Sequence, residues 1–143
     1  MAWIELHDDL STHRKTYALM EALNIKRRDA VGMLCMFWTW ALSSAEDGDI
    51  SVFPARAIAD AVDWNHKPQT LLEALVDTGW VDRTDDGKLV IHDWDDYTWR
   101  YFDKLEQGRA QTRKRVSEYR KRKKAKSCNA KPKQSNKQCV TDV

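Results

Sequence analysis

The 143-residue sequence has little of what builds secreted, membrane-spanning or fibrous proteins. Its three cysteines are an odd number without CxxC spacing, Cys35 in an apolar run and Cys128 and Cys139 near the end. That pattern argues against a disulfide scaffold and implies a reduced, cytosolic setting. Three prolines and five glycines are too few for a loop-rich or collagen-like chain. No stretch approaches the roughly 18 consecutive apolar residues of a membrane span. The opening MAWIELHDDLSTHRK is acidic early and lacks the apolar centre of a secretory signal. A GxxxxGK[ST] phosphate loop, a GxSxG elbow and any local Cys–His pairing are also absent, so no motif argues for an enzyme or a cofactor.

What is present is charge, and it is divided. The net charge of +2 hides 10 Lys/Arg against 19 Asp/Glu through Asp103, a net of −9, and 14 against 3 from Lys104 onward, a net of +11. Such a split reads as an acidic globular body carrying an appendage that seeks a polyanion.

The apolar pattern of the body is mainly helical. Residues 3–7 alternate as a short strand would. Tyr17, Met20 and Leu23, with Leu19 beside them, mark one face of a helix over 12–23. Over 27–45, Val31, Leu34, Cys35, Trp38 and Leu42 form a stripe, and Met33, Met36, Phe37 and Trp40 cover most of the rest, which predicts a central, buried helix. EDGD at 46–49 is a turn, and 50–53 a candidate strand. Pro54 suits the first turn of a helix with Ala55, Ile58, Ala59 and Val62 inward. After DWNHK, Pro68 opens another with Leu71, Leu72, Leu75 and Val76 inward, ended by Gly79. Residues 80–83 and 88–92 then read as two strands joined by TDDG. Helix, turn, helix and hairpin predict an α+β, mainly helical fold: a winged helix-turn-helix domain over 1–94, a basic helical arm over 95–126, and a disordered polar tail over 127–143.

HDWDD, at 92–96, invites a catalytic or metal reading. Zinc and magnesium sites need ligands converging from separate elements, whereas these are consecutive, and on a strand Asp93 and Asp95 would point away from His92 and Trp94. His7, His13 and His66 complete no ligand spacing. The structural reading is preferred: His92 ends the wing strand, Trp94 packs beneath the hairpin, and Asp95 or Asp96 caps the next helix. Neither a catalytic nor a metal residue is assigned.

The arm is rich in helix formers and carries Arg109, Arg113, Lys114, Arg115, Arg120, Lys121, Arg122, Lys123 and Lys124. Tyr101, Leu105, Thr112, Val116 and Tyr119 make only a thin apolar strip. A solvated helix of this kind would repel itself, and a membrane-surface helix would need more Leu, Phe or Trp on one face. A nuclear address needs a compartment that the sequence does not show. Binding double-stranded DNA relieves the repulsion and releases counterions. In the body, Lys67, Gln69 and Thr70 on the second helix of the helix-turn-helix are candidates for the groove. Arg56, Arg83 and Lys88 are candidates for phosphate.

Several segments, in order, resemble the N-terminal DNA-binding domain of phage replisome organisers. They are RRDAVGMLCMFWTWAL (27–42), EDGDIS (46–51), IADAVDW (58–64), LLEALVDTGWVD (71–82) and LVIHDWDDY (89–97), followed by an Arg/Lys-rich helix. The resemblance covers about residues 1–125 and implies a phage or prophage replication initiator. Such a protein binds origin DNA in the cytoplasm of a bacterial host and recruits a helicase loader or helicase. In that family IHDW closes the wing. Three other readings stay open: a winged-helix transcriptional regulator, a protein-interaction adaptor anchored to DNA by its arm, and, remotely, an HDWDD nuclease. Self-association as a homo-oligomer is also left open.

Overall fold

A computed structural model describes residues 3–129. Among them are five helices and one two-stranded antiparallel sheet: α1 (Arg14–Leu23), α2 (Arg27–Ser44), α3 (Ala55–Ala61), α4 (Pro68–Asp77), β1 (Val81–Arg83), β2 (Leu89–Ile91) and α5 (Trp94–Asn129). The fold is mainly helical with a small sheet. The chain divides between Asp103 and Lys104 into two compact units, with α5 contributing to both.

In the first unit, α4 packs on α1, α3 and β1, and α2 packs on α1 and α3. Phe37, Leu19, Leu34, Ile50, Ile58, Leu71 and Val81 form the fully buried centre. The helix faces differ from the sequence expectation in two places. In α1 the inward residues are Thr16, Leu19 and Leu23, while Tyr17 is exposed and accepts a hydrogen bond from Arg27. In α2 the buried line runs through Ala30, Leu34, Phe37 and Ala41, with Leu42 beside it; Val31, Cys35 and Trp38 are only half-buried and Met36 is exposed. The helix therefore has one buried side. Small alanines let neighbouring backbones approach, so the larger residues flank the contact.

Helix α4 ends as its sequence predicts. Gly79 adopts φ 84°, its N–H donates to Val76 O, and the Trp80 N–H donates to Leu75 O, which together satisfy two terminal carbonyls. Pro68 occupies the first turn, and Pro54 sits one place before α3 as its N-cap.

The hairpin pairs Val81 with Ile91, Asp82 with Val90 and Arg83 with Leu89. Gly87 (φ 81°) makes the turn, its N–H donating to Thr84 O. Strand β2 is also paired on its other edge. Asp49 bridges Val90, the Ile50 N–H donates to Leu89 O, and the Ile91 N–H donates to Gly48 O. Extended pairing thus falls at 48–50, and the expected strand at 50–53 is a turn beyond Ile50. Residues 3–7 form no strand. That segment is held through side chains instead, with Glu5 2.8 Å from Arg100 and His7 edge-on to Tyr97.

Helix α5 begins at Trp94. Its side chains from 106 to 128 are all exposed. Residues 127–129, expected in a disordered tail, continue the helix; the rest of that tail, 130–143, lies outside the described residues.

Candidate nucleic-acid interface

The HDWDD segment is a helix start rather than the end of a strand. Asp93 takes a left-handed conformation (φ 52°), which turns the chain out of the hairpin, and its carbonyl accepts from the N–H groups of Asp96 and Tyr97 to begin α5. The backbone turn, not strand alternation, sets where these side chains point. His92 lies between two carboxylates, Nδ1 2.7 Å from Asp82 and Nε2 3.1 Å from Asp93, and so links β1 to the start of the helix. Trp94 is buried, and its indole N–H donates to Glu46 O at 2.8 Å. Among the described residues no group of three His, Cys, Asp or Glu side chains converges to hold a metal ion.

Asp95 and Asp96 sit inside the first turn of α5, and no side-chain hydrogen bond from either one caps it among the described residues. The capping expected of them is absent because the helix already begins at Trp94, which places both residues past the N-cap position. What remains is attraction between carboxylates and the helix dipole. Replacing both with alanine is therefore expected to cost under about 1 kcal/mol, measured by thermal melting. DNA binding by that variant should be unchanged in the presence of a chelator. Loss of binding on chelation would return HDWDD to a metal role.

The body candidates fall in two places. Lys67 precedes α4, and its carbonyl accepts from the Trp64 indole N–H at 3.1 Å, which shapes the inter-helix turn. Gln69 and Thr70 stand exposed in the first turn of α4, with Glu73 one turn on. Arg56 is exposed on α3, its guanidinium 3.9 Å from Asp60. On the hairpin, Arg83 ends β1 and Lys88 precedes β2, flanking a turn that also carries Asp85 and Asp86. Hydrogen bonds from Ser51 hold the Asp49 carboxyl below its ordinary pKa, and the charge of Lys88 adds to the effect. The wing lysine is thus already in the field of a carboxylate, and Arg56 is likewise beside one. The Asp60 carboxylate offsets part of the Arg56 charge as a phosphate contact.

The arm differs. Arg109, Arg113, Lys114, Arg115, Arg120, Lys121, Arg122, Lys123 and Lys124 all lie on α5 and are all exposed. A shallow groove runs along this helix past Thr112 and Val116, bordered by Arg113, Arg120, Lys121 and Lys124. Val116 is 42% exposed and Tyr119 is 66% exposed.

One cationic cluster escaped the reading of the sequence. Lys26, Arg27 and Arg28 are exposed where α2 begins. Cations there oppose the helix dipole, and Asp29, with its carboxylate 3.9 Å from Arg28, offsets them only in part. The run KRR was visible as a signal but was absorbed into the apolar helix that follows it.

No helix among the described residues is long and apolar enough to cross a membrane. No protein-family model matches the sequence, and no curated protein or solved structure matches it significantly.

Proposed function

We propose that this chain is a non-enzymatic, double-stranded DNA-binding protein with a winged helix-turn-helix body, acting at a phage replication origin in the bacterial cytoplasm. The observation that carries the reading is the arm: a helix with nine exposed cations between 109 and 124 and every side chain from 106 to 128 exposed. Like charges at such density are favourable only beside a polyanion, where neutralising phosphates releases condensed counterions. The order α3, α4, hairpin is what a winged helix-turn-helix requires, and Gln69 and Thr70 at the exposed start of α4 can donate to and accept from base edges. In this reading the arm supplies affinity, α4 supplies selectivity, and a helicase or its loader is the protein recruited. The origin assignment rests on the resemblance of the sequence segments.

Selection from a random duplex pool tests the whole reading. It should return a discrete site, and the match of that site to phage replication genes rather than promoters separates an initiator from a regulator. Replacing Gln69 and Thr70 with alanine should flatten the preference among sequences and leave the salt dependence of binding nearly unchanged. The acidity of the body favours one second reading, an adaptor that docks a partner through the body and is anchored unselectively by the arm. A selection that returns no site above background would favour that reading and remove the first.

A further inference from the structure

The first unit contains a cavity of about 360 Å³ that the DNA reading does not use, lined by the 4–10 segment, the start of α1, the end of β2 and the start of α5. Its aromatic part is built from Trp38 and Trp80, edge-to-face at 5.7 Å, with Trp94 and Tyr97 also lining it. Asp9 and Asp93 also line it. Burial raises the Tyr97 hydroxyl pKa, and the charges of Asp93, Asp96 and Asp9 raise it further, so carboxylates act on this end of the cavity. Two cations also line it: Arg14 is exposed, and Lys15 is engaged, its ammonium donating to Gly79 O at 3.1 Å and lying 5.6 Å from the Trp80 ring centre. An aromatic cavity of this size with an acidic edge suits a ring-bearing side chain flanked by cations.

This chain carries such a segment. Tyr119, in VSEYRKRKK, stands 66% exposed on the arm with Arg115 before it and five consecutive cations after it. We propose that the cavity receives Tyr119 from the arm of a second copy, with the flanking Arg and Lys side chains meeting Asp9 and the acidic body. Charge complementarity argues for the second copy over an unrelated partner, because a body of net −9 faces an arm of net +11. Reciprocal exchange between two copies closes as a two-fold dimer.

Sedimentation velocity of the full chain without DNA tests this, at about 20 mM and about 300 mM salt, where screening differs severalfold. The expected result is concentration-dependent association at low salt that is lost at high salt. Tyr119→Ala and Asp9→Lys should each weaken it about tenfold. Both positions are exposed, and the hydrogen bonds at Asp9 use its backbone carbonyl, so folding is preserved. Asp85→Lys, on the hairpin turn outside the cavity, is the control and should change the association less than twofold. A monomer under all conditions, no effect of Tyr119→Ala, or an effect of Asp85→Lys equal to that of Asp9→Lys would overturn the proposal. Because no DNA is present, failure here leaves the DNA reading standing.

Discussion

Truncation after Asp103 should abolish most binding to any duplex while the body stays folded. The remaining 103 residues carry 10 Lys/Arg and 19 Asp/Glu, so the long-range field of the body repels DNA. Its buried residues, from Thr16 to Thr98, all lie upstream of the cut, so circular dichroism and melting should report a folded unit. In the intact chain, engagement of about six of the nine arm cations sets a slope near −5 in log affinity against log salt. That is about a thousandfold loss between 50 and 200 mM. The measurement is a salt titration of both forms on specific and random duplexes. If the truncated body binds within about tenfold of the whole chain, the arm is not the clamp. The cations on the body, Lys26, Arg27 and Arg28 included, would then carry far more of the interaction.

Gly48→Ala should be the most damaging single methyl group in the body. Gly48 is buried at φ 79°, and a Cβ there would lie 2.7 Å from Cγ and Cδ1 of Trp94. Trp94 cannot move aside easily, because it is buried and its indole N–H is bound to Glu46 O. A left-handed alanine costs about 1–2 kcal/mol, and overpacking adds about 1–3 kcal/mol. A total near 3 kcal/mol lowers the melting temperature by on the order of 15 °C. Gly108→Ala is the matched control. It lies within α5, nothing stands within 4 Å of its added Cβ, and it should slightly favour the helix. A Gly48→Ala protein that melts with the wild type would mean that Trp94 does not pack on the 45–49 turn.

Elements whose signals are local were legible in the sequence. Pro68 and Gly79 bracket α4 because proline suits a first turn and glycine tolerates the left-handed exit. Gly87 marks the hairpin turn for the same steric reason. The arm was legible because the side chains of residues 106–128 are exposed, so propensity and charge decide there without competition from a core. Faces were harder. The α2 stripe was displaced because nearly every side of that helix is apolar, and periodicity cannot then choose which side the neighbours cover. Residues 3–7 alternate like a strand, yet β2 has Gly48–Ile50 on one edge and β1 on the other, so no free edge of that strand remains for them.

The sequence by itself determined the acidic body and basic arm, the order of helices and hairpin, and the termini of α4. Each depends on residues adjacent in the chain or on charge counted along it. Only the tertiary structure decided what HDWDD does. The left-handed turn at Asp93, the link from His92 to Asp82, and the packing of Trp94 on Gly48 join positions up to 46 residues apart. Tertiary structure alone also paired Asp49 with Val90 and gathered Trp38, Trp80 and Tyr97 around one cavity. Contacts of that kind arise when apolar faces from distant segments are buried together, and no local pattern encodes which distant partner each face will meet.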